Sequence, residues 1–468
     1  MPRSRADAIM RLVACTALLC LASAGAAAER IAIVDVTLIS GTGAPPLRGA
    51  TVVVDGERIT AVGPAAAVRV PADARPVDGR GKFLIPGLVD MHTHVSKTRG
   101  SALQLFVANG VTTLRDMGGD QEELLRWRRE IRAGARIGPR LLLAGPYLES
   151  ARNVERMRGT PVAEMAEPVE RTRIPVGSPE EARRVVAMIA KAGLDHVKIR
   201  TVQDRATYLA IAEAAKQENL PLVGHAPSLP PEDILAAGQK SLEHGLVVPP
   251  ASPEREQRLA VYRRFADAGT VVVPTLVTAF ASGLQPQETL AAMVEDEAGK
   301  IEPRRRYVSK FLLIDWREQV SEQTPERRAF FKDYVPRARQ VLREMHEAGV
   351  KILAGSDTAV LGVFPGSSLH EEMALLVSEL GMTPAQALER ATRGSAEFLG
   401  LGASLGTIAP GKLADLVLLG ADPLADIQNL RRVEAVFLGG RLFTRADLDL
   451  LLAAVEAAPD RQRNDWPR

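Results

Sequence analysis

Between Phe83 and about Gly400, short runs of apolar residues alternate with longer stretches in which apolar positions recur every three or four residues. Apolar runs bounded by turns indicate buried strands, and the 3.6-residue period indicates helices packed over them, so this region reads as consecutive βα units. The strands expected are FLIPGLVDMHTH, GVTTLRDM, PRLLLAGPYL, HVKIR, PLVGHA, SLEHG, TVVVPTL and KILAGSD. Eight such strands suit a closed (β/α)8 barrel. A doubly wound open sheet would alternate similarly, but no GxGxxG turn follows an early strand.

The ends carry a different pattern. From Arg30 to Pro86, β-branched runs such as IAIVDVTLI and ATVVVDGERITAVG are punctuated by Gly and Pro, which favours a small antiparallel sheet. The same signature returns in GTIAPGKLADLVLLG and VEAVFLGGRLF. One small β domain built from both ends, residues 29–86 and 402–446, therefore flanks a barrel of residues 87–401, with a helix and polar tail at 447–468.

Two connections exceed what a barrel needs. One runs from Leu148 to about Ser178. The other, Val277 to Val350, is largely helical and contains Tyr307, Phe311, Trp316, Phe330 and Tyr334. It is expected to be either a lid over a substrate pocket or a helical decoration with its own small core. Its run Arg304-Arg305-Arg306 reads as a solvated helix face.

Residues 1–28 change the expected destination of the chain. Arg3, Arg5 and Arg11 precede the apolar run Leu12–Leu21 and then Ala26-Ala27-Ala28, the layout of a cleaved secretory signal. The run falls short of the ~20 apolar residues of a spanning helix, and Leu18-Leu19 before Cys20 lack the small residues of a lipid-attachment site. Export to the periplasm or medium is expected, with no stable membrane span afterwards. Cleavage would remove Cys15 and Cys20, the only cysteines, so a metal would have to use His, Lys or carboxylate. It would also take three Arg and one Asp from 59 basic and 57 acidic residues, leaving 56 of each. Such a neutral chain gives no electrostatic case for nucleic acid. The expected partner is a small-molecule substrate, with a homo-oligomer possible.

Candidate chemistry lies at the strand ends. His92 and His94 are two apart on one strand and so share a face, which in a barrel is the interior. Alone, the pair is as compatible with structural histidines as with metal ligands. His225 closes PLVGH, His244 closes SLEH and Asp357 closes KILAGSD, each at the C-terminal strand end where barrel enzymes hold their chemistry. His346 and His370 lie within helical patterns and read as ordinary helix residues. Lys198, inside the apolar strand HVKIR, carries a desolvation cost that needs compensation. Reaction of its amine with CO2 would give an anionic carbamate able to bridge two cations; a pairing with Asp116 or Asp357 is the other resolution.

In this order, DMHTH, the lysine of HVKI, VGHA, LEHG and AGSDT resemble the ligand set of the amidohydrolase superfamily. The likeness spans nearly the whole chain, the two β-rich ends resembling the halves of that superfamily's β-sandwich. It is nearest to the imidazolonepropionase-related amidohydrolases, which include exported dipeptidases acting on Xaa-Pro or Xaa-Arg/Lys. The resemblance implies one metal on His92, His94 and Asp357, a second on His225 and His244, and carboxylated Lys198 with a hydroxide bridging them. Two cations acidify a shared water and polarise the scissile carbonyl, and Asp357 would act as general base and then general acid. Zinc is the first expectation, with Mn, Co, Ni or Fe also compatible.

The chain departs from that group at two places. The dipeptidases carry a tyrosine two residues beyond the VGHA histidine, where this chain has Pro227, so their specificity does not transfer directly. Strand four ends KIR, which puts Arg200 on the same side as Lys198, one step nearer the barrel mouth. Arg200 is a candidate anchor for a substrate carboxylate, or a member of a structural ion pair. Arg115 is a second substrate-binding candidate, with a salt bridge to a neighbour the blander expectation. Three functions remain: hydrolysis of a dipeptide or N-acyl amino acid, hydrolysis of a cyclic amide, lactone or ester, and a non-catalytic ligand-binding barrel.

Overall fold

A computed structural model describes residues 29–160, 168–244 and 254–460. The segment expected to be a signal, residues 1–28, and the last eight residues of the polar tail lie outside the described residues.

The two chain ends form one sheet. Its strands are β1 (Arg30–Leu38), β2 (Leu47–Asp55), β3 (Arg58–Pro64), β4 (Arg75–Asp78) and β5 (Phe83–Pro86), joined after the barrel by β16 (Leu416–Leu419), β17 (Val433–Leu438) and β18 (Arg441–Thr444). The order is β18-β17-β16-β5-β1-β2-β3, with β4 alongside β1. The sheet is mixed where sequence patterning suggests antiparallel pairing throughout: after β3 the chain crosses back, so β4 and β5 both run parallel to β1. Ile31, Ile33, Val52, Val54, Leu84, Leu416 and Phe437 form its core. Backbone bonds from Ile59 N to Lys412 O (2.9 Å) and from Ala414 N to Glu57 O (2.8 Å) tie the β3 edge to the segment before β16, curling the sheet over that core.

Gly87 ends the sheet, and the chain enters the barrel at β6 (Leu88–Thr93), followed by β7 (Val111–Asp116), β8 (Arg140–Leu143) and β9 (Tyr147–Glu149). The single run FLIPGLVDMHTH thus serves two domains. β8 and β9 are one barrel strand interrupted at Gly145-Pro146: the first part pairs with β7, the second with β11 (Val197–Ile199) and with β10 (Arg173–Pro175). Parallel pairing continues through β12 (Leu222–Gly224), β13 (Ser241–Glu243), β14 (Val271–Val273) and β15 (Lys351–Ile352). Asp195 N to Leu143 O (2.8 Å) joins the two sheet fragments on one side. Met91 N to Ala354 O (3.0 Å) and Asp357 N to His92 O (2.7 Å) join the last strand to the first. These contacts close the ring, which gives the expected α/β barrel.

The connection from β14 to β15 carries the helices Gln287–Glu295, Lys310–Ser321 and Pro325–Glu347. Leu290, Met293, Leu312 and Trp316 form a separate core there, but it also takes in Ala359, Leu361 and Phe364 from the segment following Asp357. Trp316 Nε1 donates to Ala359 O at 3.1 Å. The insertion is therefore a decoration with its own core that buttresses a loop of the barrel mouth. The triple arginine departs from a uniformly solvated face: Arg305 is buried and donates to Val294 O, and Arg304 is held between Glu302 and Glu371.

Candidate metal centre and active site

All six strand-end residues converge at one end of the barrel. Nε2 of His92 and of His94 lie 3.5 and 3.4 Å from Asp357 Oδ1, so three ligand atoms from the first and last strands surround one point. Nε2 of His225 and Nε2 of His244 face each other at 3.1 Å. Asp357 Oδ2 lies 3.8 Å from His244 Nδ1, bringing the two groups together. Backbone geometry helps aim them: His244 and Asp357 have φ of 71° and 59°, in the left-handed region that non-glycine residues seldom adopt. Strand alternation alone would send Glu243 and His244 to opposite sides; the left-handed turn lets both serve the same site.

Burial sets the charge state. It is the largest influence on His92, lowering its pKa to about 3, and it also depresses His225 and His244, so all three rings are neutral and able to ligate. Asp357 is buried among these rings, with Oδ1 3.5 Å from His92 Nε2 and 3.4 Å from His94 Nε2. Lys198 is 1% exposed, and burial brings its amine down to about 8. Its Nζ has no hydrogen-bond partner among the described residues, and neither has His92 Nε2. The expected alternative of a carboxylate partner for Lys198 is thus not met. Buried polar atoms without partners are rare, and here they point into one cluster of metal-ligating side chains. The donor set fits divalent cations.

Around these residues lies a network that sequence reasoning passes over. Glu243 Oε2 accepts from His92 Nδ1 at 2.8 Å, and Arg115 Nη2 donates to Glu243 Oε1 at 2.9 Å. Arg115 also donates to Ser241 Oγ at 2.8 Å and through Nε to Met91 O at 2.6 Å, while Ser241 Oγ bonds Glu243. Burial acts to raise the Glu243 carboxyl, but Arg115 and His92 hold it far below the usual carboxylate range. Arg115 is 1% exposed with its guanidinium committed, so it cannot reach a substrate: its place is structural. Glu243 was open to the same argument as Lys198, an ionisable group inside a buried strand. The other candidate ligands are oriented similarly. His94 Nδ1 bonds Gly118 O at 2.9 Å with the Tyr147 hydroxyl 3.0 Å away, and His244 Nδ1 lies 2.7 Å from Thr275 Oγ1. His196 is buried against Asp116 O at 3.0 Å, and His370 against Asn109 O at 2.9 Å.

Arg200 lies at the rim, its side chain 34% exposed and Nη1 2.8 Å from Glu149 Oε1. Glu149 is fully buried and also accepts from Thr201 at 2.7 Å and from Asn153, with Arg173 Nε 3.4 Å away. Both guanidinium groups stand over the Tyr147 ring, at 5.0 Å for Arg173 and 5.9 Å for Arg200. Arg200 therefore does form an ion pair, with a carboxylate that Arg173 also approaches.

Residues 83–443 match the profile of the amidohydrolase family. An imidazolonepropionase from Chloroflexus aggregans is 25% identical over 403 residues, covering 80% of this chain and 86% of that protein. One from Rubrobacter xylanophilus is 35% identical over 117 residues, a match that spans 19% of this chain and 28% of that protein's length. A solved structure from Bifidobacterium longum, assigned as a prolidase, superposes with a TM-score of 0.66 at 28% identity, covering 92% of this chain and 99% of that one. The profile runs from β5 through all six strand-end residues to β18, and the chain belongs to the amidohydrolase family.

Proposed function

We propose that the protein is an exported metal-dependent hydrolase that cleaves the C–N bond of a small amide bearing a carboxylate, a dipeptide or N-acyl amino acid. The observation that carries this reading is the convergence of His92, His94, His225, His244, Asp357 and an unpartnered Lys198 on one barrel mouth. His92, His94 and Asp357 would hold one cation, His225 and His244 a second. Lys198 would link them after its neutral amine forms an N–C bond to CO2 and releases a proton, giving a carbamate. Two divalent cations bound there, zinc foremost, supply an acidified water and a polarised carbonyl.

The chain's own groups do the rest. Asp357 would take the proton released by the attacking water and deliver it to the leaving amine nitrogen, which its position between the two histidine pairs allows. Arg200, sharing Glu149 with Arg173, presents a guanidinium at the rim beside Tyr147 and would engage the substrate carboxylate. A second reading, opening of a cyclic amide, is favoured by the 25% identity to an imidazolonepropionase over 403 residues.

The test is to load the protein with zinc and bicarbonate, measure metal per chain, and assay Xaa-Pro and other dipeptides, N-acyl amino acids, cyclic amides and lactones. Two metals per chain with turnover of linear, carboxylate-bearing amides is expected. One metal per chain with turnover confined to cyclic amides would replace this reading with the second, and binding without any hydrolysis would overturn both.

A further inference from the structure

The turn after β14 holds three unusual features within a few residues. Thr275 adopts φ 48° and ψ 44°, a left-handed conformation that is a genuine outlier for a β-branched residue and costs roughly 1–2 kcal/mol. Its hydroxyl lies 2.7 Å from His244 Nδ1. Two residues on, the Val277 N–H donates to Oε2 of Glu372 at 2.8 Å, and the Leu276 N–H is directed at the same carboxyl. Glu372 comes from the helix Ser367–Leu380; it is 0% exposed, and its Oε1 has no hydrogen-bond partner among the described residues.

A strained threonine and a half-satisfied buried carboxyl each cost stability, so each persists only where the surrounding structure over-determines it. We infer that Thr275 and Glu372 form one positioning unit, in which Glu372 clamps the turn after β14 and thereby holds the Thr275 hydroxyl against His244 Nδ1. This rests on the proposed role of His225 and His244 as ligands. When the His244 Nδ1–H donates to Thr275 Oγ1, the proton is fixed on that nitrogen and the Nε2 lone pair is left facing His225. Freed from it, the ring can carry the proton on Nε2 instead and present no lone pair to a cation. The clamp needs a carbonyl-type acceptor and no charge; burial pushes Glu372 up to about 8, so it is uncharged at neutral pH. The strain would then serve ligand geometry, as hydrogen-bonded partners of metal-binding histidines do elsewhere.

Four variants separate this from a merely structural role: Thr275→Val, Thr275→Ser, Glu372→Leu and Glu372→Gln. They are compared by zinc titration and by nitrogen NMR of the histidine tautomers in the metal-free protein. Thr275→Val and Glu372→Leu should weaken the second zinc about 10- to 100-fold, leave the first unchanged and move the His244 proton from Nδ1 to Nε2. Thr275→Ser and Glu372→Gln should behave as wild type. Unaltered zinc affinity and tautomer in Thr275→Val overturns the inference even if Glu372→Leu fails to fold. Equal losses in Glu372→Gln and Glu372→Leu would assign the effect to charge and overturn the clamp. Should the wild type bind fewer than two zinc ions, the proposed function fails, and the His244 tautomer in Thr275→Val alone decides the positioning role.

Discussion

Glu243 Oε2 accepts the proton of His92 Nδ1 at 2.8 Å, and Arg115 holds the same carboxylate from the other side. The pair fixes both the tautomer and the rotation of His92, so that Nε2 is directed toward Asp357. Removing Glu243 leaves the Arg115 guanidinium buried and uncompensated, which typically costs 3–5 kcal/mol. Glu243→Leu is therefore expected to lower the denaturation midpoint sharply and to weaken zinc about 10- to 100-fold. In Glu243→Leu with Arg115→Met, stability should recover while zinc affinity stays low. Calorimetry and zinc titration check this, and recovery of both would show that the network acts on stability alone.

If Lys198 carries the proposed carbamate, metal loading should depend on pH. Its amine sits near 8, so the neutral, CO2-reactive form falls about tenfold for each pH unit below that value. Zinc incorporation from bicarbonate buffer should rise from pH 6.5 to 8.5 and then level. Lys198→Ala should hold close to one zinc per chain and lose the bicarbonate dependence. Metal analysis across that range decides it; an unchanged two-zinc content in the variant removes the lysine from the site.

Arg200 should discriminate substrates by charge. Loss of a charged hydrogen bond is worth about 1.5–3 kcal/mol, so Arg200→Ala is expected to lower kcat/KM for carboxylate-bearing amides by at least about tenfold and leave carboxylate-free analogues near wild type. Equal losses for both substrate types would return Arg200 to a purely structural pairing with Glu149.

Gly224, beside His225, has φ 125°, and a Cβ there would stand 2.1 Å from Ile199 O on the neighbouring strand. Gly224→Ala must part β12 from β11, which carries Lys198. Loss of the second zinc with partial loss of stability is expected, measured by metal analysis and thermal melting; wild-type behaviour in both would show that the strands can separate freely.

The barrel strands were legible because their apolar runs are short and regularly spaced, and the strand-end histidines because β-strand alternation places His92 and His94 on one face. The two-part third strand was less so, since PRLLLAGPYL is apolar throughout and only Gly145-Pro146 hints at the break. Alternation also misplaces Glu243 relative to His244, because a positive φ cannot be read from a histidine. The fate of the arginines depended on partners far away in the chain: Arg115 meets a carboxylate 128 residues on, and Arg200 one 51 residues back. No local pattern encodes such pairings.

The seam between β6 and β15 puts His92 and Asp357 on hydrogen-bonded backbone. A ribosome that has released the first of these residues must still make the whole barrel before the second appears. On the proposed assignment, cation capture by that trio must follow synthesis of the barrel, and a chain halted in the long interval lacks one of the three side chains of the first site.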